Sequence, residues 1–411
     1  MNYGLIGEKL GHSFSREIHE KLGRYPYELC EIPKNELDAF MKARDFAGIN
    51  VTIPYKTDVI PYLDELSDLA REVGAVNTIV NRNGRLSGDN TDVWGLISLV
   101  RRMRPDLAGL TALILGTGGT SRAALAAAKF LGAKKAVRVS RTGKDGAVTY
   151  EEAYRDYSDA EFLINTTPIG MFPHAGSSPV DLSRFPRLLG VVDAIYNPLN
   201  TRLLLDAKQC GIPAENGLYM LVAQAMKSAE LFTDSPIDPA VTETIYAELL
   251  FEKRIIVLIG MPGSGKTTLG RLLSDKLGRT LVDTDEEIVK RAGAPITEIF
   301  ATKGEAAFRD LESAVIRDVS ETGGRILATG GGAILREDNL AALKSNGVLV
   351  WLDRPLDDLL PTSDRPLANE KEKIRALYDA RRPLYENAAD VTVPVRGTPE
   401  NTALAIWEKL K

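Results

Sequence analysis

Two glycine-rich turns constrain the fold of this 411-residue chain more than any other feature. Each turn follows an apolar, strand-like run and precedes a helix-like run. The segment "TALILGTGGTSRAALAAAKFLG" begins at Thr111, and "RIIVLIGMPGSGKTTLGRLL" begins at Arg254. Glycine lets the backbone turn tightly, and the N-terminus of the following helix offers free N–H groups to an anion. The chain is therefore predicted to contain two separate strand-turn-helix units that can bind phosphate.

Strand-like runs such as "INVTIPY", "FLINTT" and "GVLVWL" alternate with helical patterns along the whole chain. This alternation is typical of α/β domains with parallel sheets, and the length predicts two or three domains. The segment "IDPAVTETIYAELLFEKR" reads as a helix that leads into the strand from Ile255 without a flexible linker. The main boundary is therefore placed near Glu252, and a second boundary near Asp92.

The composition excludes several classes of protein. Hydrophobic residues make up 44% and charged residues 26%, and the net charge of −5 lacks the basic surplus of a nucleic-acid binder. No apolar run reaches the ~18 residues of a membrane span, and the N-terminus lacks a signal peptide's apolar region. With two cysteines and three histidines, neither a disulfide framework nor a histidine-rich metal site is expected. A cytoplasmic protein is predicted, and its oligomeric state is left open.

The first glycine-rich turn predicts a dinucleotide site. Gly116, Gly118 and Gly119 follow the strand, although Ser121 replaces the usual third glycine. The next strand-like run, "VRVSRTGK", ends in Arg141, where an NAD-binding fold would have Asp or Glu. A charge-assisted contact with a 2′-phosphate contributes about 1.5–3 kcal/mol, so NADP is favoured over NAD. The alternatives are a turn that binds no ligand and an arginine that is merely solvated.

A set of polar residues precedes this turn and suits a small polyhydroxylated acid. It combines neutral hydrogen-bonding groups with one lysine and one carboxylate, and its members are Ser13, Ser15, Asn50, Thr52, Lys56, Asn77 and Asp92. Taken singly, each residue is compatible with a surface lysine, a turn asparagine or a capping aspartate.

These residues, together with "INTTPIGM", "DAIYNPLNT" and "GLYMLVAQA", resemble shikimate dehydrogenase over about residues 3–235. The resemblance implies reduction of 3-dehydroshikimate to shikimate with NADPH. It also implies a substrate domain of residues 1–92 with returning helices in 217–250, and a Rossmann domain of residues 93–216. Two departures from the family pattern are Arg16, where proline is usual, and Ser140, where asparagine is usual.

The resemblance assigns roles to individual residues. It implies that Lys56 and Asp92 form the catalytic pair. The implied substrate-binding residues are Ser13 and Ser15 for the carboxylate, and Thr52, Asn77, Asp92, Tyr196 and Gln224 for the rest of the molecule. The implied NADP(H)-binding residues are Gly116, Gly118, Gly119, Thr120, Ser140, Arg141 and Thr142.

The second turn, "GMPGSGKT", fits the phosphate-loop (P-loop) pattern completely. Its glycines let successive N–H groups surround phosphates, Lys266 reaches the β- and γ-phosphate oxygens, and Thr267 offers a hydroxyl to Mg²⁺. The pattern predicts nucleotide binding but leaves the acceptor open. A regulatory switch, an adenylate-type kinase and a metabolite kinase all remain possible at this point.

Charged residues downstream of the P-loop indicate which acceptor the nucleotide site serves. Asp283 and Asp285 alternate in "VDTDEEI" near a strand end, and Arg309 precedes Glu312 by one helical turn. Arginines at positions 309 and 381 suit a carboxylate, and an aspartate beside an acceptor hydroxyl suits phosphoryl transfer. "LATGGGAIL" would let a ligand ring lie close to backbone, and "SDRPL" supplies Arg365 in a segment plausible as a lid.

Together these motifs resemble shikimate kinase over about residues 254–410. The resemblance implies a P-loop kinase domain with a parallel sheet, placed at residues 253–411. The implied acceptor residues are Asp285, Arg309, Gly331 and Arg381, and the implied catalytic residues are Lys266, Asp285 and Arg365. The implied ATP-binding residues are Gly260, Gly263, Ser264, Gly265, Lys266, Thr267 and Thr268, with Thr267 and Asp283 at Mg²⁺. One departure is the missing upstream arginine in the lid segment "LDDLLPTSDRPL".

The combined prediction is a bifunctional enzyme that makes precursors of chorismate and the aromatic amino acids. It would use the small molecules 3-dehydroshikimate and shikimate, with NADP(H), ATP and Mg²⁺, and would bind neither nucleic acid nor membrane. The alternative is an NAD-dependent quinate/shikimate dehydrogenase fused to a nucleotide-sensing module that transfers no phosphate.

Overall fold

The computed structural model describes residues 1–11, 14–172, 175–359 and 370–411. Its described residues form two compact units. The first comprises Met1–Met171, Ser177–Tyr196 and Asp206–Leu249, and the second comprises Phe172–Gly176, Asn197–Leu205 and Leu250–Lys411. In the described part of the chain, no helix is long and apolar enough to cross a membrane.

The first sheet lies in the N-terminal unit. Its strands are β1 (Tyr3–Gly7), β2 (Glu28–Glu31), β3 (Gly48–Val51), β4 (Glu65–Leu66), β5 (Thr78–Arg82) and β6 (Arg85–Asp89). They are ordered β2-β1-β3-β5-β6-β4. The β1–β2, β1–β3 and β4–β6 pairs are parallel, whereas the β3–β5 and β5–β6 pairs are antiparallel, so this sheet is mixed. The β5–β6 pair is a hairpin with a two-residue turn, in which Asn83 (φ 52°) and Gly84 (φ 85°) both adopt the left-handed conformation.

The second sheet is parallel throughout and lies in the same unit. Its strands are β7 (Thr111–Leu115), β8 (Lys135–Ser140), β9 (Val148–Thr149), β10 (Phe162–Asn165), β11 (Gly190–Asp193) and β12 (Ala214–Glu215). Their order, β12-β11-β10-β7-β8-β9, reverses direction at β7, as in a doubly wound Rossmann sheet. The fold predicted for the dinucleotide unit is confirmed.

The helices that accompany these two sheets are α1 (Ser15–Leu22), α2 (Leu37–Ala43), α3 (Asp68–Val73), α4 (Thr91–Arg101), α5 (Gly119–Phe130), α6 (Tyr150–Asp156), α7 (Arg202–Gln209), α8 (Leu218–Thr233) and α9 (Pro239–Lys253). Helix α4 packs against both α5 and α8. Its buried leucines and valines join the alanine-rich face of α5 in one hydrophobic core. This packing fixes the N-terminus of α4, which carries Asp92.

The third sheet belongs to the second unit. Its strands are β13 (Ile255–Ile259), β14 (Leu281–Asp283), β15 (Ile326–Ala328), β16 (Gly347–Asp353) and β17 (Val391–Pro394). All pairs are parallel in the order β14-β15-β13-β16-β17, which confirms the predicted P-loop fold. The helices here are α10 (Lys266–Leu277), α11 (Thr284–Ala292), α12 (Ile296–Ser320), α13 (Glu337–Asn346), α14 (Lys371–Ala388) and α15 (Pro399–Leu410). Helix α12 is interrupted at Gly304, where φ is 81°.

Short 3-10 helices occupy Ile60–Tyr62, Leu182–Arg184, Ala333–Leu335 and Leu356–Asp358. The central strand β13 is buried at every residue, with apolar side chains on both faces. In a parallel sheet covered by helices on both faces, the loops that follow the strands all lie at the carboxyl edge. The phosphate loop after β13 and the triple glycine after β15 are therefore neighbours.

Candidate active sites

A buried network of hydroxyl and amide groups underlies the first candidate site. The Oγ of Ser228, on α8, lies 2.8 Å from Asn50 Nδ2, 2.9 Å from Thr78 Oγ1 and 3.0 Å from Thr91 Oγ1. Tyr27 donates to Asn50 Oδ1 at 2.7 Å. These groups connect β3, β5, α4 and α8, so the sheet and the helices that carry the site are held in one arrangement.

Above this network, Lys56 and Asp92 form an ion pair. Lys56 Nζ lies 2.6 Å from Asp92 Oδ2, and the two side chains are 28% and 15% exposed. Asn77 Nδ2 donates to Asp92 Oδ1 at 2.9 Å, while Asn77 Oδ1 accepts from Thr91 N at 2.7 Å. The orientation of the Asn77 amide is thus fixed, and both oxygens of Asp92 are engaged. The N-terminal end of α4 also favours the negative charge of Asp92.

This ion pair lies in a cavity of about 430 Å³. The structure brings seven of the predicted substrate-site residues to its wall: Ser15, Thr52, Lys56, Asn77, Asp92, Tyr196 and Gln224. Burial raises the pKa of Tyr196, so its hydroxyl stays protonated at neutral pH and can donate a hydrogen bond. Ser13 lies outside the described residues, so its predicted role is neither supported nor opposed. The roles of the others stay predictions.

Sequence reasoning missed several residues that line this cavity, among them Lys9, Met220 and Leu221. Lys9 lies in the loop after β1, and Met220 and Leu221 come from the first turn of α8. An exposed lysine and two apolar helix residues have no distinguishing pattern in a sequence. Only the return of α8 to the first sheet brings Met220 and Leu221 to the site.

The dinucleotide turn connects β7 to α5. Gly116 has φ 115°, and a Cβ on it would lie 2.7 Å from Thr166 Oγ1, so glycine is required there. A Cβ on Gly118 or Gly119 would meet nothing within 4 Å, which leaves open space beside the start of α5. Ser121 is buried and donates to Gly118 O at 2.8 Å, so it folds into the turn instead of blocking the space.

The predicted phosphate-binding side chain follows the neighbouring strand. Because β7 and β8 are parallel partners, Ser140, Arg141 and Thr142 lie at the same sheet edge as the turn. Ser140 Oγ accepts from Gly143 N at 3.1 Å, while Arg141 and Thr142 are exposed. With Thr120 in the first turn of α5, these residues are compatible with a dinucleotide, and their roles stay predictions.

The phosphate loop contains three glycines with positive φ: Gly260 (146°), Gly263 (81°) and Gly265 (95°). Lys266 is 8% exposed, and its ammonium donates to the carbonyl oxygens of Gly260 and Met261 at 2.9 Å each. The backbone amides of the loop and the Lys266 ammonium therefore lie together at the N-terminus of α10. That arrangement suits a polyphosphate.

A cavity of about 510 Å³ extends from this loop to helix α12. Its wall includes ten of the predicted residues: Gly263, Gly265, Lys266, Thr267, Thr268, Asp283, Asp285, Arg309, Gly331 and Arg381. Gly260 and Ser264 lie within the loop and are buried. Thr267 Oγ1 donates to Asp283 Oδ2 at 2.7 Å, so the two predicted metal-binding oxygens are adjacent.

Arg309 and Glu312 form a buried ion pair at the far side of this cavity. Arg309 Nη1 donates to Glu312 Oε2 at 2.8 Å, and Arg309 Nη2 lies 3.1 Å from Glu305 Oε1. Glu312 is 1% exposed, and burial raises its pKa despite the opposing charge of Arg309. The pair follows from the i, i+3 spacing on one helical face.

The triple glycine after β15 packs directly against these charges. A Cβ on Gly330 would lie 2.8 Å from Asp285 Oδ1, and one on Gly332 would lie 2.2 Å from Arg309 Nη1. Side chains here would displace the groups that face the cavity. Gly331 O accepts a hydrogen bond from Tyr385, whose pKa burial raises to about 12.

The remaining predicted residues divide into two cases. Arg381 is 6% exposed on α14 and lines the cavity, whereas Arg365 lies outside the described residues. Sequence reasoning missed Glu286, Phe300 and Arg354, which also line the cavity. Glu286 continues the acidic run at the start of α11, but nothing in the sequence distinguished Arg354 from a surface residue.

Comparison with known proteins gives the family of the N-terminal part. Residues 5–79 match the family model "Shikimate dehydrogenase substrate binding domain". "Shikimate dehydrogenase (NADP(+))" of Clostridium perfringens (strain SM101 / Type A) is 37% identical over 268 residues, covering 60% of this chain and 97% of that protein. The chain belongs to the shikimate dehydrogenase family. The predicted resemblance is confirmed.

Solved structures agree with this assignment. A chorismate mutase/shikimate 5-dehydrogenase fusion protein from Clostridium acetobutylicum is 38% identical with a TM-score of 0.57, covering 60% of this chain and 96% of that one. Shikimate 5-dehydrogenase from Thermus thermophilus, solved with NADP(H) and shikimate, is 31% identical with a TM-score of 0.54. It covers 60% of this chain and 99% of that one.

The C-terminal part matches a second family. Residues 262–411 match the "Shikimate kinase" family model. This confirms the predicted kinase domain on the same chain. The chain therefore combines an oxidoreductase of the shikimate dehydrogenase family with a shikimate kinase domain.

Proposed function

We propose that this chain is a bifunctional enzyme that reduces 3-dehydroshikimate to shikimate with NADPH and then phosphorylates shikimate at its 3-hydroxyl with ATP. The observation that carries the first activity is the Lys56–Asp92 pair at 2.6 Å inside a polar cavity. We also propose three domains: residues 1–92 with 217–250, residues 93–216, and residues 253–411. The relatives' names, which specify NADP(+), support the cofactor.

Lys56 would supply the proton that the reduction requires. The nicotinamide, when bound, supplies a hydride to the carbonyl carbon, whose oxygen gains negative charge. The Lys56 ammonium can stabilise that charge and transfer its proton to the oxygen. Asp92 holds the ammonium in place, and Asn77 holds Asp92 from the other side.

The rest of the cavity would bind the ring substituents. Thr52, Tyr196 and Gln224 offer neutral hydrogen-bonding groups, and Ser15 lies on the same wall. Neutral groups of this kind suit hydroxyls and discriminate strongly against analogues that lack one, because a buried polar group would then be unpaired. The proposed substrate therefore fits the chemistry of the wall.

The second activity is supported by charges gathered around the phosphate loop. Asp285 lies near Gly330 and the Arg309–Glu312 pair, where the acceptor hydroxyl would meet the transferring phosphoryl group. Arg309 and Arg381 would hold the acceptor carboxylate. Lys266 would stabilise the phosphoryl charge, and positioning of the two substrates would provide most of the catalysis.

Magnesium fits the oxygen donors beside the loop. Thr267 and Asp283 are adjacent, and Mg²⁺ prefers hydroxyl, carboxylate, phosphate and water oxygens. In the described residues, no group of three or more His, Cys, Asp or Glu side chains is arranged to hold a metal. The ion would therefore be held by these two side chains together with nucleotide phosphates and water. When bound, it would neutralise charge on the β- and γ-phosphates.

One assay tests both activities. Incubation of the chain with 3-dehydroshikimate, NADPH, ATP and Mg²⁺ is expected to consume NADPH and to yield shikimate 3-phosphate. Omitting ATP should stop the reaction sequence at shikimate, and shikimate supplied with ATP and Mg²⁺ but without NADPH should be phosphorylated. ATP binding without a phosphorylated product would contradict the kinase proposal. Faster oxidation of quinate with NAD than of shikimate with NADP would contradict the proposed biosynthetic role of the dehydrogenase.

Cofactor choice depends on Arg141 in this proposal. Arg141→Asp is expected to lower the NADPH/NADH ratio of kcat/KM by about 10- to 150-fold, because it replaces a phosphate-binding cation with an anion. Steady-state kinetics with both cofactors measures the ratio. Lys134→Asp, an exposed position before β8, is the matched control and should leave the ratio unchanged. An unchanged ratio in Arg141→Asp would mean that another residue holds the phosphate.

A further inference from the structure

A second cation besides Lys266 lies next to the phosphate loop. Arg354 directly follows β16, and β16 is the parallel partner of β13, with Ile259 opposite Trp351. The loops after both strands therefore begin at the same sheet edge. Their contact is close, since a Cβ on Gly260 would lie 3.0 Å from Leu352 O.

The Arg354 guanidinium faces the loop but is poorly satisfied. Its Nη1 donates to Gly263 O at 3.4 Å, which is long for a hydrogen bond. Its Nε is buried and has no hydrogen-bond partner among the described residues. A buried donor of a charged group is destabilising when it is left unpaired. The Gly263 carbonyl alone thus does not account for a charged side chain at this position.

The carboxylate next to Arg354 in sequence is paired with a different arginine. Asp353, next to Arg354 in sequence, accepts from Arg382 Nη1 at 2.9 Å. Arg382 also lies over the Trp351 ring, 5.2 Å from its centroid, so it is held from two sides. Within the described ranges, Arg354 makes no salt bridge, yet it lines the same cavity as Lys266 and Thr267.

We propose that Arg354 binds the phosphates of the nucleotide, acting as a second phosphate-binding cation beside Lys266. This rests on the proposed ATP-binding function of the loop. A planar guanidinium presents several N–H donors, and its two terminal nitrogens can bind two oxygens of one phosphate group. A bound phosphate would thus neutralise a charge that no described carboxylate pairs. The ligand class is a nucleoside di- or triphosphate, and Arg354 raises affinity for the phosphate chain, not for the acceptor.

Calorimetric titration of the full chain with ADP tests the proposal. Arg354→Ala is expected to weaken ADP binding by about 10- to 150-fold and to raise the KM for ATP in parallel. The KM for shikimate should change less than about threefold, since Arg354 lies at the loop and not beside Arg309. Dehydrogenase activity should be unchanged.

A second variant separates direct binding from support of the loop. Arg354→Gln keeps an N–H donor for the Gly263 carbonyl but removes the charge and the fork. The proposal expects the same loss of ADP affinity as in Arg354→Ala. Arg354→Gln that binds ADP like the unmodified chain would overturn it, because Arg354 would then only hold Gly263.

Controls keep the outcome interpretable. Arg291→Ala removes an arginine on α11 that pairs with Asp318 at the surface and should leave ADP affinity unchanged. ADP affinities of both Arg354 variants within about twofold of the unmodified chain would also overturn the proposal. If the unmodified chain binds ADP but forms no phosphorylated product, the proposed kinase function is wrong. The ADP affinities of the Arg354 variants would still test whether Arg354 binds phosphate.

Discussion

Replacing Lys266 with alanine will abolish phosphorylation of shikimate, with an expected loss in kcat of about 10³-fold or more. The ammonium is almost fully buried and is held by the Gly260 and Met261 carbonyls at the start of the loop. We propose that this charge stabilises the transferring phosphoryl group, so its removal should lower kcat above all. A coupled assay for ADP release, with shikimate as acceptor, measures the loss.

Two comparisons make the Lys266→Ala result specific. The dehydrogenase rate of the same preparation should be unchanged, since Lys56 and Asp92 lie in the other compact unit. Lys290→Ala removes an exposed lysine on α11 that pairs with Glu287, and it should leave both activities intact. An ATP-dependent rate of Lys266→Ala equal to that of the unmodified chain would sink the phosphate-loop assignment.

Replacing Lys56 with alanine is expected to slow reduction of 3-dehydroshikimate by about 10²–10⁴-fold. The variant would lose both the proposed proton donor and the positive charge proposed to stabilise the developing oxyanion. Because that charge develops only in the transition state, kcat should fall far more than KM rises. The rate of NADPH oxidation, followed over a range of substrate concentrations, separates the two parameters.

The fold of the Lys56→Ala variant can be checked independently. Asp92 keeps its hydrogen bond from Asn77, so the N-terminus of α4 should stay in place. Lys42→Ala, which removes an exposed lysine paired with Asp38, is the matched control and should retain full dehydrogenase activity. Kinase activity should be spared in both variants. A comparable loss of both activities in Lys56→Ala would refute independent sites.

Local signals in the sequence were sufficient for much of the fold. The two glycine-rich turns predicted the Rossmann and P-loop sheets, since each needs only a strand, a turn and a helix that are adjacent in the chain. The Arg309–Glu312 contact likewise follows from the spacing on one helix. The mixed first sheet was missed, although its Asn83-Gly84 turn is a recognised hairpin signal.

Contacts between distant segments could not be predicted in the same way. Whether Asp353 pairs with Arg354 or with Arg382 depends on how α14 packs beside β16, and both arginines are equally plausible partners in the sequence. The orphaned Nε that distinguishes Arg354 exists only in the folded chain. Residues 13 and 365 lie outside the described residues, so their predicted roles await direct tests.

The Ser228 network has a consequence for the order in which the first site can form during synthesis. Thr78 leaves the ribosome 150 residues before Ser228, the residue whose hydroxyl it contacts. At a synthesis rate of about 5–20 residues per second, Ser228 is made roughly 8 to 30 seconds after Thr78. Until then, Asn50, Thr78 and Thr91 lack the Ser228 hydroxyl as a partner. The first candidate site is therefore completed late in synthesis, because α8 is made only after all strands of the second sheet.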